Sequence, residues 1–130
     1  MKDIKEFINK HRKTKEKSDD FVTYLFKLID EKGYKKDSDV YNKANISRQV
    51  WHNVISGINP PSLNFTLKVV FALELNNHEC KYLLKKAGYT LASSSTYSLI
   101  IRCCIENKIY DLDKVNDYLT EFGYSNQLIY

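Results

Sequence analysis

Four glycines divide this chain, and each closes a stretch whose apolar residues recur at helical spacing. Phe21, Leu25, Leu28 and Ile29 stand at i, i+4, i+7 and i+8 and run up to Gly33. That spacing gathers them on one helix face, and a glycine just past the last turn accepts the left-handed backbone that ends a helix. The same reading ends further helices at Gly57, Gly88 and Gly123. No alternating run of strand length interrupts the pattern. A chain patterned this way buries helix faces against one another. The expected fold class is therefore all-α, a compact helical bundle.

The starts of the helices are also legible. Asp37 is expected to cap a short helix carrying Val40, Tyr41 and Ala44, and Asn45 tolerates the left-handed turn that follows. Ser47 is expected to cap a helix over residues 48–56, and Ser62, after the Pro60-Pro61 break, one reaching about residue 75. Asn76 and Glu79 have the spacing of a capping box. After Ser93-Ser94-Ser95 comes a helix over about residues 96–107, and Asp111 opens one over about residues 112–122. With 130 residues and a 43% hydrophobic fraction the chain can build one core. The expected organisation is a basic arm or helix over 1–18, a helix-turn-helix domain over 19–90, and a C-terminal helix pair over 91–130 packed on it as one unit.

Charge and cysteine usage narrow the class of function. Residues 1–18 hold seven Lys or Arg against three acids, +4 in all, so the remaining residues sum to zero. Nucleic-acid binding would then rest on local placement of charge and on this arm, which is otherwise a solvated linker. Cys80, Cys103 and Cys104 are odd in number and lack a C-x-x-C pair, which argues against a disulfide framework and against a metal site. Reduced thiols suit a reducing cytoplasm. No apolar run reaches the roughly 20 residues a membrane span needs, and the N-terminus is charged from Lys2, unlike a signal peptide. No phosphate-binding glycine loop or nucleophile elbow is present, and the acids at residues 37, 39, 111 and 113 fall at helix starts. The expectation is a protein that is not an enzyme and carries no cofactor or metal.

The stretch from 37 to 62 carries the functional signal. Ile46, Trp51 and Val54 anchor one face of the helix that follows the tight turn, while Arg48, Gln49, His52, Asn53 and Ser56 lie on the other, with no carboxylate among them. A helix anchored on one face can lie in a major groove, where Arg pairs with guanine and Gln or Asn with adenine. The expected base readers are Arg48, Gln49, His52 and Asn53. Lys43, Ser47, Ser56, Asn59 and Ser62 are the expected phosphate contacts, which position rather than specify. The alternative at these positions is an ordinary solvated helix face, with His52 a surface residue.

Ile46-Ser47-Arg48-Gln49-Val50-Trp51-His52-Asn53-Val54-Ile55-Ser56-Gly57, followed by Pro61-Ser62, resembles the Cro and phage-repressor helix-turn-helix family. The resemblance covers about residues 21–89. It implies a lambda-repressor-like helical core and double-stranded DNA as partner. Asn45 stands where that family usually has Gly, Ser56-Gly57 replaces its usual Asn-Gly, Trp51 is large for the anchor, and the loop at residues 58–60 lacks a basic residue.

Such regulators usually work as dimers, because one recognition helix reads few base pairs. Residues 99–105 carry apolar groups nearly all round their helix, so that helix is expected to be buried, either in the core or in a homodimer formed through Leu99, Ile101, Cys103 and Ile105. The leading expectation is a dimeric transcriptional regulator of bacterial or phage type. The alternative is a protein-interaction adaptor, antitoxin-like or acting in phage defence or host takeover, that keeps the scaffold without reading bases. RNA binding through the basic arm and exposed tyrosines is a third reading.

Overall fold

Side chains close the first turn of nearly every helix. The computed structural model describes residues 4–6 and 20–130. From residue 20 onward these contain seven helices: α1 (Phe21–Glu31), α2 (Asp37–Lys43), α3 (Arg48–Ile55), α4 (Leu63–Ala72), α5 (Asn77–Lys86), α6 (Thr96–Glu106) and α7 (Leu112–Glu121). Asp20, Ser47, Ser62, Asn76, Ser95 and Asp111 each accept a bond from a first-turn amide through the side chain. At Asn76 the box is complete, since Glu79 Oε1 accepts from the Asn76 amide at 3.0 Å. These bonds satisfy donors that have no partner within the helix. Residues 4–6 are helical and exposed, and the rest of the expected arm, residues 1–3 and 7–18, lies outside the described residues.

The expected cap at Asp37 is corrected. The N-cap of α2 is Lys36, with no side-chain cap bond, and Asp37 is the first helical residue. Its carboxylate is turned instead to the indole of Trp51, whose Nε1 donates to Oδ2 at 3.0 Å. The bond to a buried indole N–H takes the place of a cap.

The helix ends share one device. After α2, α4 and α6 the chain turns through Asn45, Glu74 and Lys108 at positive φ. The next residue then donates back five positions: Ile46 to Tyr41, Leu75 to Val70 and Ile109 to Cys104. This is the Schellman closure, and it seats an apolar residue against the core. Because Glu74 makes that turn, α4 stops at Ala72, before the expected end near residue 75.

The buried face of α4 is broad, with Phe65, Leu67, Val69, Val70, Phe71 and Ala72 all shielded. It is the centre of the bundle: α2 and α5 pack on it, α1 and α6 pack on α5, α3 packs on α2, and α7 packs on α6. One continuous apolar cluster runs from Phe21 to Ile129. Every buried side-chain N or O among the described residues has a hydrogen-bond partner.

The expected homodimer face on α6 is corrected in part. Ile101 and Ile105 are 0% and 3% exposed and belong to the core, because α6 is sandwiched between α5 and α7. Leu99 and Cys103 remain outside. The final residues dock as well. Ile129 is buried, and two asparagines grip the backbone beside it. Asn116 of α7 accepts from the Ile129 amide and donates to its carbonyl, both at 2.8 Å. Asn64 of α4 does the same for Tyr130, at 3.0 and 2.7 Å. Each carboxamide reproduces the donor–acceptor pair of a neighbouring strand, and the tail ties α7 to α4.

Among the described residues, no helix is long and apolar enough to cross a membrane.

Candidate nucleic-acid interface

α2 and α3 are joined by a four-residue turn, residues 44–47. Three interactions set it. Asn45 adopts φ 55°, which an asparagine tolerates far better than a branched residue. Ala44 and Ile46 are buried on either side of it. Lys68 of α4 donates to the Asn45 carbonyl at 2.9 Å, and partial burial lowers the pKa of that ammonium.

α3 is anchored on one side only. Trp51 and Val54 are 0% and 5% exposed. The Trp51 ring lies between Tyr41 and Phe65, with centroids at 5.7 and 5.8 Å, and its one polar atom is satisfied by Asp37. A tryptophan therefore serves at a position where its size looked excessive. The buried ring fixes the rotation of α3, and with it which side chains face outward.

Outward stand Arg48, Gln49, Val50 and His52, all exposed. Asn53 is half-buried, and its Oδ1 accepts from Gln49 Nε2 at 3.0 Å. The two carboxamides thus form a preset pair, one turn apart. The arrangement leaves the other Gln49 and Asn53 polar atoms for an external partner. No acid lies within α3, so nothing on the helix itself repels a polyanion.

The expected phosphate contacts are more committed. Ser47 and Ser62 cap α3 and α4, accepting from Val50 at 3.2 Å and Phe65 at 3.0 Å. Ser56 donates its hydroxyl back to the His52 carbonyl at 2.6 Å. The Lys43 ammonium donates to Tyr34 Oη at 3.0 Å and to Glu74 at 3.2 Å. The bond to Tyr34 raises its pKa most, desolvation opposes it, and the bond to Glu74 adds to the rise. Asn59 is exposed, with its amide donating to the Asn53 carbonyl at 3.0 Å, and Gly57, at φ 81°, turns the chain toward it. Of this set, Asn59 alone has a side chain without an internal bond.

Two apolar side chains stand beside the polar ones: Val50 is 48% exposed and Ile58 70%. The sequence reading passed over both. Exposure of Val50 follows from its place one residue before Trp51, about 100° round the helix from the buried face. The Asp37–Trp51 bond was missed too, since nothing local links two residues that are 14 apart.

Compared with protein-family models, curated proteins and solved structures, the chain has no match in any of the three.

Proposed function

We propose that the protein binds double-stranded DNA in a sequence-dependent way as a cytoplasmic regulator of transcription, with α3 entering the major groove. The reading rests on one observation above all: α3 is pinned by a fully buried tryptophan while Arg48, Gln49, His52 and the Gln49–Asn53 pair face outward with no carboxylate among them. Arg48 would pair with guanine, and the carboxamides with adenine. Exposed Val50 suits contact with a thymine methyl. The motif's resemblance to phage-repressor helix-turn-helix proteins points the same way. A homodimer would double the sequence read. Leu99 and Cys103 are exposed on α6, and Tyr118 on α7 and Phe122 just after it are 42% and 58% exposed.

A second reading draws on Val50, Ile58 and the internal engagement of Ser47, Ser56, Ser62 and Lys43. Those features suit an adaptor that offers α3 to another protein. The deciding experiment selects duplexes from a random pool and titrates salt against the best binder. A DNA reader loses affinity steeply with salt, because phosphate contacts release counterions. Absence of any enriched duplex at low salt rejects the regulator and promotes the adaptor.

A further inference from the structure

Three hollows in the described surface differ in charge. One of about 620 Å³, where α1 ends and α2 begins, sets Lys35 and Lys36 against Asp30 and Asp37. A second, of about 470 Å³ beside the α2 end and the start of α7, sets Lys43 and Lys68 against Glu74, Asp111 and Asp113. The third, of about 440 Å³, opens between α5, residues 89–93 and α6. Its lining holds Lys81, Lys85 and Arg102 and no carboxylate.

None of those three cations forms a side-chain ion pair among the described residues, where the two pairs are Lys32–Glu79 and Lys43–Glu74. Of the acids nearby, Glu79 pairs with Lys32 and closes the α5 cap, and Glu106 accepts from Asn77 Nδ2 at 3.4 Å at the edge of the hollow. Gathering like charges round a hollow costs Coulomb energy that an anion would relieve. The inner wall is apolar, with Cys80 and Leu84 buried and Leu91 half-buried. Burial pushes the Cys80 thiol up to about 12, so this wall carries no charge at neutral pH. The Tyr89 hydroxyl is turned away to the Pro61 carbonyl at 3.3 Å. A concave site of a few hundred Å³ with an apolar wall and a few convergent charges is the usual form of a small-molecule pocket.

We propose that this hollow binds a small organic anion with an apolar body, its charged group held between Lys81, Lys85 and Arg102 and its body against Cys80, Leu84 and Leu91. The site stands whether or not α3 reads DNA. It joins α5 to α6, so an occupant touches both the helix that packs on α1 and α4 and the C-terminal pair.

The test uses two dyes with the same rings, anilinonaphthalene sulfonate and neutral phenylnaphthylamine, added to the full chain and followed by fluorescence. The expected result is saturable binding of the sulfonate at one site per chain, with the neutral dye about tenfold weaker or more. The double variant Lys81→Gln, Arg102→Gln should weaken the sulfonate by about tenfold and leave the neutral dye unchanged, as loss of charge-assisted bonds would. Both side chains are exposed, so an unchanged circular dichroism melt verifies the fold. Amide shifts in a titrated nitrogen–proton spectrum should cluster at residues 77–93 and 102. Equal binding of the two dyes, binding indifferent to the double variant, shifts elsewhere, or no saturable binding would each overturn the proposal.

Discussion

Asp37→Ala should destabilise the protein through a residue fourteen positions away, and the size of the effect follows from the geometry. Trp51 is 0% exposed, and removal of the Asp37 carboxylate takes away the hydrogen-bond partner of its indole N–H. Stranding a buried donor costs about 1–3 kcal/mol. Losing the acid from the first turn of α2 adds about 0.3–1 kcal/mol through the helix dipole. Asp37→Ala should therefore cost about 1–4 kcal/mol in the natural background. In a Trp51→Phe background the donor is gone, and the same change should cost only the dipole part. The cycle should give a coupling of about 1–3 kcal/mol, above the additivity error for independent sites. Urea unfolding followed by far-ultraviolet circular dichroism is the assay, because Trp51 is the sole tryptophan and its replacement removes the fluorophore. If Asp37→Ala costs the same in both backgrounds, the carboxylate acts on α2 alone and the bond to Trp51 contributes nothing.

Gln49→Ala should change stability by less than about 0.5 kcal/mol, as exposed substitutions do, yet flatten preference at one base position by about 1–3 kcal/mol. Because Gln49 and Asn53 are bonded, Asn53→Ala should disturb the same base; a base-substitution scan showing no change for Gln49→Ala and Arg48→Ala removes α3 from base reading. Asn116→Ala should free the tail, speed hydrogen exchange at the Ile129 amide and cost about 1–3 kcal/mol, since the buried segment loses both partners; unchanged exchange would show that the clamp does not hold in solution. Among the three thiols, Cys103 alone is exposed, so a thiol reagent should modify one site in the native protein and three in urea. The Cys80 thiol has a folded pKa of about 12 against an ordinary 9.0, so folding favours the protonated form. Its contribution is complete below about 9 and fades as pH rises toward the folded value, at up to about 1.4 kcal/mol per pH unit. A stability profile over that range that Cys80→Ala leaves unaltered contradicts this.

Helix starts and stops needed only neighbours. Ser47, Ser62, Asn76 and Asp111 accept from amides two or three residues ahead, and Asn45 or Gly57 turns the chain immediately after a helix, so composition within a few residues determined them. The outward set Arg48, Gln49 and His52 was legible for the same reason, because a helix with Trp51 and Val54 inside leaves those positions outside. Asp37 misled because a residue with a cap's local signature found a stronger partner in an indole that only folding brings near. Ile101 and Ile105 misled because an all-round apolar helix is equally suited to a core and to an interface, and periodicity does not say which surface arrives first. Packing of α6 between α5 and α7 decided it. The grip of Asn64 on Tyr130 spans 66 residues, and the carboxylate-free hollow draws on two helices and a loop. Local hydrogen bonds are decided by torsions a few residues apart. Long-range ones depend on which faces the burial of apolar surface brings together, and that burial is non-directional, so the tertiary structure alone decided them.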